Sequence, residues 1–206
     1  MLKTTFFDLA GKYTTDSELI AQLWTVIEKH YSGKGRYYHN LSHLENMLGE
    51  LEHCKNEIAD WDTVLFALFY HDLIYKSTAK DNEEKSGEEA VKALRKTGYQ
   101  EDKITKCSAM ILATKSHTVS SDNDTNLFTD ADLSILGSSW EKYYIYCQNV
   151  RKEYSVYPDF LYNPGRKKVL QHFLEMEYIF KTELFREKYE GSARENLIRE
   201  IAILQK

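Results

Sequence analysis

A histidine and an aspartate, His71 and Asp72, stand side by side at the end of a mostly apolar stretch that begins at Trp61. Burying a charged or unpaired polar group costs several kcal/mol unless a partner satisfies it. A divalent metal ion would satisfy both side chains, because imidazole nitrogen and carboxylate oxygen are ordinary metal ligands. The alternative is a core histidine and a helix-end aspartate that hydrogen-bond to their neighbours. The pair alone leaves both interpretations open.

Two other histidines are candidate ligands. His43 lies beside Leu44 and Leu48 on a predicted helix, from which it could point toward the helix that carries His71. His39 precedes His43 by four residues, so the two imidazoles share one face if the helix extends that far. The alternative for this pair is one structural and one surface histidine.

Two aspartates, Asp130 and Asp132, follow later in the chain, before a leucine that must face the core. On a helix they point in roughly opposite directions, so they are not equivalent as ligands. We expect that one is a ligand candidate and the other a solvated or capping residue.

The elements that must position these residues are all predicted to be helical. The chain holds only two prolines and nine glycines, and no segment alternates as a strand does, so we predict an all-α fold. The helix ending in His71 and Asp72 is apolar nearly all round, which predicts a central, buried position. Thr14, Thr15 or Asp16 is predicted to cap the first helix and Asp60 the third, and the fourth is predicted to start at Asp81 or Asn82 and to stop at Gly98. The predicted helices cover about residues 16–31, 41–58, 60–72, 82–97, 101–115, 127–136, 140–157, 165–185 and 192–204, and residues 120–126 are predicted to form the most mobile loop.

Composition restricts the function classes. With 206 residues, 42% of them hydrophobic and a net charge of -5, the chain is typical of one soluble globular domain and lacks the basic face of a nucleic-acid binder. No stretch reaches the roughly 18–20 apolar residues of a membrane span, and the N-terminus lacks signal-peptide features. The three widely spaced cysteines indicate neither a disulfide framework nor a thiolate zinc site. We therefore expect a cytoplasmic protein without a membrane partner, for which nucleic acid is an unlikely ligand.

Four motifs, in this order, resemble those of the HD superfamily of metal-dependent phosphohydrolases. They are Arg-Tyr-Tyr-His-Asn-Leu-Ser-His at 36–43, Phe-Tyr-His-Asp-Leu-Ile-Tyr at 69–75, Asp-Asn-Glu-Glu-Lys-Ser at 81–86 and Asp-Ala-Asp-Leu-Ser-Ile-Leu-Gly at 130–137. More closely, the chain resembles the bacterial subgroup described as predicted HD-type phosphohydrolases. The similarity extends to 151–154 and 192–197, and so covers nearly the whole chain.

The resemblance implies a helical bundle whose His and Asp side chains meet around a divalent metal ion such as Mn, Mg, Fe, Co or Ni. Carried over by position, the ligands are His43, His71, Asp72 and Asp132. The last ligand in the family follows an alanine and precedes a leucine, which favours Asp132 over Asp130. The implied organisation is a single domain over residues 1–206, with a core at about 20–140 and a C-terminal helical elaboration at about 141–206.

The implied activity is hydrolysis of a phosphate ester by metal-activated water, on a nucleotide or another small phosphorylated molecule. Asp72, Glu83 and His117 are the predicted catalytic residues. His117 falls where many members place a second-metal ligand or a phosphate contact. Glu83 or Glu84 could serve as general base, and the alternative is that they are acids favoured at a helix N-terminus.

Substrate phosphate is predicted to contact Lys76, Arg36 and Arg166, with Arg151 as a further candidate. Arg166 follows an Asn-Pro-Gly sequence at 163–165 that reads as a helix start, which is a suitable anion site. The alternative for each is a surface or salt-bridge residue.

Three other functions remain as alternatives. One is a regulatory HD module that binds a nucleotide or metal without turnover. Another is a di-iron oxygenase, in which His117 with Glu83 or His39 would supply additional ligands. The third is a purely structural helical protein. The sequence leaves the substrate, the metal and the oligomeric state open, a homo-oligomer included.

Overall fold

The computed structural model describes residues 1–205, and its regular secondary structure is entirely helical, with no strand among these residues. The predicted all-α fold is therefore confirmed. The chain divides into two compact units, residues 1–129 and residues 130 onward. The division falls within a single continuous helix, α7 (Asn123–Leu133).

The first unit is organised around a buried central helix, α4. The complete helices of this unit are α1 (Leu2–Ala10), α2 (Ser17–Tyr31), α3 (Leu41–His53), α4 (Trp61–Tyr70), α5 (Asn82–Thr97) and α6 (Glu101–Ala113). Helix α4 packs against α1, α3, α5 and α6. All of its residues from Thr63 to Tyr70 are buried, which confirms the predicted burial of this helix. The sequence analysis did not identify α1, whose Phe6 ring meets the Phe69 ring at 5.1 Å and nearly at a right angle.

Helix boundaries in this unit follow local capping chemistry. Asp16 accepts the backbone N–H of Leu19, and Asp60 accepts that of Thr63, so both side chains satisfy donors that the helix leaves unpaired. Gly98 ends α5 with a φ of 79°, a left-handed conformation that glycine adopts without steric cost. The predicted boundaries at Asp16, Asp60 and Gly98 are confirmed.

The start of α7 corrects one prediction. Residues 123–126 are helical rather than part of a loop, and a 3-10 turn over Ser134–Gly137 follows the helix. Asp122 Oδ2 accepts both the N–H and the hydroxyl of Thr125, at 3.1 and 2.6 Å. The run of Ser, Asp, Asn and Thr was taken for a loop because the same residue types favour turns and helix N-caps.

In the second unit, α11 (Gly191–Ile203) packs against α8 (Trp140–Glu153), α9 (Asp159–Glu175) and the 3-10 turn. A short α10 (Glu183–Phe185) and a π-helical turn (Arg186–Glu190) precede it. The predicted helix at 165–185 is wrong at both ends. Helix α9 starts after Pro158 rather than after Pro164, and it ends at Glu175. The carbonyl of Pro158 accepts the N–H of Tyr162 at 3.0 Å, and the helix continues through Pro164.

Two further expectations concern the environment of the chain. Over residues 1–205, every helix is too short or too polar to cross a bilayer. The cysteines at 54, 107 and 147 form no disulfide within this part of the chain.

Asp124 fastens α7 to the start of α4. Its carboxylate accepts the backbone N–H groups of Ala59 and Asp60 at 2.8 and 3.0 Å and the ammonium of Lys106 at 2.8 Å. Only 3% of the side chain is exposed, so little water can replace these partners. The contact fixes the helix that carries the His-Asp pair against the first residues of α7.

We expect Asp124→Ala to destabilise the protein, because it leaves two backbone donors and an ammonium without their acceptor. Hydrogen bonds to charged groups contribute about 1.5–3 kcal/mol, and we expect a loss of this size in urea unfolding followed by circular dichroism. Asp81→Ala is the matched control, because its exposed carboxylate forms a solvent-exposed ion pair with Lys85. An equal effect of the two substitutions would contradict this account of Asp124.

Candidate metal centre

Helices α3 and α4 bring two buried imidazoles into direct contact. Nε2 of His43 lies 3.1 Å from Nε2 of His71, and the two residues are 4% and 1% exposed. Asn40 caps α3 by accepting the N–H of Ser42, so His43 lies in the first turn of that helix. His71 directly follows the last residue of α4. Two lone pairs at this distance repel one another unless a proton or a cation lies between them.

The second nitrogen of His71 defines which atom faces the site. Nδ1 lies 2.9 Å from the carbonyl oxygen of Leu68, and because a carbonyl can only accept, Nδ1 carries the hydrogen. In the neutral ring Nε2 is then the unprotonated nitrogen, directed at His43. A backbone carbonyl on the far nitrogen is the arrangement by which proteins orient metal-binding histidines.

Asp72 adds a carboxylate to the two imidazoles. Its Oδ2 lies 3.2 Å from Nε2 of His71 and 3.8 Å from Nε2 of His43. Burial favours a higher pKa, but when the imidazoles are protonated the charges of His71, His39 and His43 and a hydrogen bond from His71 outweigh it and hold the pKa of Asp72 well below its usual range. The group is therefore an anion, as a metal ligand requires.

Asp132, near the end of α7, is a further candidate ligand. His43, His71 and Asp132 each offer one ligand atom, and these three atoms lie within 4.8 Å of one another. The half-buried Asp132 is thus the aspartate associated with the histidines. Asp130 instead accepts the N–H groups of Lys181 and Thr182, which is the capping role that the sequence allowed for one of the two aspartates.

The measured contact suits a single ion. Two nitrogen ligands, each about 2.1 Å from one ion and separated by a tetrahedral or octahedral angle, lie about 3.0–3.4 Å apart. The Nε2 atoms of His43 and His71 are 3.1 Å apart, which falls in this range. The donor set of two imidazoles and carboxylates is compatible with a divalent metal.

His39 is not one of the three clustered residues. Helix α3 begins at Leu41, so His39 lies before the helix and does not share its face with His43 in the predicted way. Its ring instead stacks on Tyr75, with centroids 4.1 Å apart, and meets the His43 ring edge-on at 6.0 Å.

The predicted catalytic residues other than Asp72, and the predicted substrate-binding Lys76, lie on or near α5 and α6. Glu83 and Glu84 lie in the first turn of α5, where Lys115 binds the Glu84 carboxylate and lies 4.0 Å from Glu83. His117 follows α6 with a φ of 51°, a left-handed conformation that is uncommon for a residue other than glycine. Lys76 is exposed, and its backbone N–H donates to Asn82. Their catalytic and substrate-binding roles stay predictions.

Arg166 and Arg151, which were predicted to contact substrate phosphate, bind carboxylates of the second unit. Arg166 is not at a helix start, since residues 163–165 lie inside α9, so this premise of the anion-site prediction is wrong. Its guanidinium binds both carboxylate oxygens of buried Glu200, at 2.8 and 3.0 Å, and Tyr143 donates to the same carboxylate. Arg151 donates to the exposed carboxylate of Asp159. These are the salt-bridge alternatives that the sequence left open.

Arg36 shows an arrangement that the sequence did not indicate. Its guanidinium donates to three backbone carbonyls, those of His39, Asp72 and Leu73, at 2.9, 2.7 and 2.8 Å. Tyr31 was likewise missed: its hydroxyl accepts the backbone N–H of Asp72 at 3.1 Å. No sequence signal identifies these contacts, because their partners are backbone atoms.

Comparisons of this chain with protein-family models, with curated proteins and with solved structures find no match.

We expect His43→Ala, His71→Ala and Asp132→Ala each to weaken binding of Mn²⁺ or Co²⁺ by more than about 100-fold, beyond the 10–100-fold typical of residues that only support ligands. Titration calorimetry on metal-stripped protein measures the change. His172→Ala is the matched control, since this exposed histidine lies on α9 outside the cluster. Unchanged affinity in the three variants would rule out a metal at this site.

Proposed function

We propose that His43, His71, Asp72 and Asp132 bind a divalent metal ion. The observation that carries the proposal is the buried 3.1 Å contact between two imidazole nitrogens, with a carboxylate oxygen 3.2 Å from one of them. Without a metal, the two rings can share only one hydrogen between their facing nitrogens, and the Asp72 carboxylate then adds a negative charge in a site with little water. A cation satisfies all of these groups at once.

We further propose that the protein is a metal-dependent phosphohydrolase acting on a nucleotide or another small phosphorylated molecule. Support comes from the four motifs that resemble the HD superfamily, in the same order, and from the ligand set they predict. When bound, the ion would supply an acidified water and a positive charge that neutralises a phosphoryl oxygen. Mn, Mg, Fe, Co and Ni all accept such imidazole and carboxylate ligands.

The chain's own residues have distinct tasks in this proposal. Leu68 holds the His71 ring through Nδ1, so that Nε2 stays directed into the site. Asp72 stays ionised and can accept a hydrogen bond from water. Glu83 acts as general base and His117 contacts the phosphate or assists proton transfer. Lys76, the exposed lysine that follows the His-Asp pair, supplies positive charge to the substrate phosphate.

The proposed setting is the cytoplasm. Reducing conditions keep thiols unpaired, which agrees with cysteines that form no disulfide among the described residues. The net charge of -5 favours a small phosphorylated substrate over a nucleic-acid polyanion.

The activity is tested with purified protein loaded separately with Mn²⁺, Mg²⁺, Co²⁺, Ni²⁺ or Fe²⁺ and assayed on a panel of nucleotides, sugar phosphates and phosphodiesters. We expect phosphate-ester cleavage that is lost on chelation and falls by at least about 100-fold in Asp72→Asn, while His172→Ala retains it. Thermal stabilisation by a panel compound without product formation would instead favour a regulatory module. Oxygen consumption by an iron-loaded protein would favour oxygenase chemistry.

Lys76→Ala should raise KM about 10- to 100-fold with kcat and metal affinity unchanged, because a charge-assisted contact present in both ground and transition states affects binding alone. Lys92→Ala is the control, since this exposed lysine pairs with exposed Glu89. A change in kcat without a change in KM would show that Lys76 does not act by holding substrate.

A further inference from the structure

The backbone of Asp72 is held on both sides by residues from other parts of the first unit. Helix α4 ends at Tyr70, and carbonyls beyond a helix end need partners from elsewhere. Arg36 Nη1 donates to the carbonyl of Asp72 at 2.7 Å, and Nη2 donates to that of Leu73 at 2.8 Å. The N–H of Asp72 donates to the hydroxyl of Tyr31 at 3.1 Å. Both polar backbone groups of Asp72 are therefore fixed.

The same guanidinium reaches the segment that leads into α3. Nη1 also donates to the carbonyl of His39, at 2.9 Å, only four residues before His43. Arg36 thus links the entry to the helix that carries one imidazole with the exit from the helix that carries the other. A shift of either segment would strain hydrogen bonds to the same planar group.

Aromatic rings immobilise the guanidinium. Its central carbon lies 5.2 Å from the centroid of the Tyr31 ring and 5.3 Å from that of Tyr75. Tyr75 in turn stacks on His39 at 4.1 Å. Contacts of this type stabilise a cation by about 0.5–1 kcal/mol at exposed sites and more when water is excluded. Arg36 is therefore a fixed support in the first unit.

We infer that Arg36 and Tyr31 are positioning residues that act through Asp72, holding its carboxylate against His71. The inference rests on the proposed metal centre. It gives Arg36 and Tyr31 a positioning role that the resemblance to the family does not imply. Fixing the backbone of Asp72 fixes the direction of its Cα–Cβ bond, which leaves only side-chain rotation to bring Oδ2 within 3.2 Å of His71 Nε2. This role differs from the predicted contact of Arg36 with substrate, because it affects metal affinity before any substrate is present.

Lysine cannot replace Arg36 in this role. Its ammonium is a point charge and cannot present the planar fork that reaches three carbonyls while packing against two rings. Arg36→Lys preserves the charge and removes the geometry, which makes it the informative variant. Tyr31→Phe removes only the hydroxyl that accepts the Asp72 N–H and retains the ring, so it tests the same role with less risk to folding.

The experiment measures Co²⁺ affinity and the visible absorption of bound Co²⁺, which reports ligand geometry. We expect Arg36→Lys to weaken Co²⁺ binding about 10- to 100-fold, the range found for residues that orient ligands, and to change the spectrum. Tyr31→Phe should act in the same direction with a smaller loss. In an Asp72→Ala background, Tyr31→Phe should change the affinity less than about twofold, because the carboxylate it positions is gone. Arg36→Lys should lose most of its effect there and retain only the part that comes from its bond to the His39 carbonyl.

Arg194→Lys is the matched control. Arg194 also donates to three backbone carbonyls, those of Leu174, Met176 and Glu177, and it belongs to the second unit. We expect it to lower thermal stability without changing Co²⁺ affinity or spectrum. A loss of affinity that persists undiminished in the Asp72→Ala background would overturn the positioning role. So would wild-type affinity and spectrum in folded Tyr31→Phe and Arg36→Lys.

Failure of the metal proposal would be recognised separately, as absence of Co²⁺ binding by the wild-type chain. The positioning role would then be decided by the ¹⁵N resonances of the His43 and His71 imidazoles. Asp72→Ala should shift the Nε2 resonance of His71, and Tyr31→Phe should shift it in the same direction. Unmoved imidazole resonances in Tyr31→Phe would overturn the inference without reference to any metal.

Discussion

The contact between the Nε2 atoms of His43 and His71 is the constraint around which the first unit is built. Two imidazoles 3.1 Å apart, each at most 4% exposed, are shielded from water, and their facing nitrogens are compatible only with a hydrogen or a cation between them. Helix α4 creates this condition, because its apolar residues exclude solvent from the position where His71 emerges. The burial that makes the pair costly also strengthens its attraction for a cation, since charges interact more strongly where water is absent.

Polar side chains at the ends of helices determine where the ligands lie. Asp60 and Asp124 fix the beginning of α4, Asn40 fixes the beginning of α3, and Arg36 fixes the chain after α4. Burial of the apolar residues in the middle of these helices stabilises the fold. Because this effect is not directional, it does not fix the position of an individual side chain. Hydrogen bonds at the ends have defined lengths and angles, so they restrict the positions of His43 and His71 more closely than burial does.

Local signals in the sequence explain why much of the fold could be predicted. Asp60 caps α4, Gly98 ends α5 and the apolar run from Trp61 indicates a buried helix, and each depends on residues close in the chain. The sequence failed where one residue type serves two purposes. The polar run before Leu127 resembled a loop although Asp122 caps a helix there, and Pro164 resembled a helix start although Pro158 provides it.

In the candidate site, too, the sequence identified residues that lie in recognisable motifs but not the contacts between residues far apart in the chain. Motif order and context selected His43, His71, Asp72 and Asp132. Ligand atoms of His43, His71 and Asp132 lie within 4.8 Å of one another, and Asp72 Oδ2 lies 3.2 Å from His71 Nε2. The contacts of Arg36 and Tyr31 could not be predicted, because they end on backbone atoms of Asp72 that carry no sequence identity. For the same reason Arg166 could be taken for an anion site, since its partner Glu200 lies 34 positions away.

The adjacency of His71 and Asp72 explains why such distant contacts are needed. Consecutive residues of a regular helix project about 100° apart, so one ion could not readily accept ligands from both. Here α4 stops at Tyr70, and Asp72 lies beyond the helix with its Oδ2 turned back to within 3.2 Å of His71 Nε2. Once the helix ends, its hydrogen bonds no longer fix the Asp72 backbone, and that task passes to Arg36 and Tyr31. In this chain, the proposed binding of one ion by both His71 and Asp72 therefore depends on the end of α4 at Tyr70 and on the contacts of Arg36 and Tyr31 with the backbone beyond it.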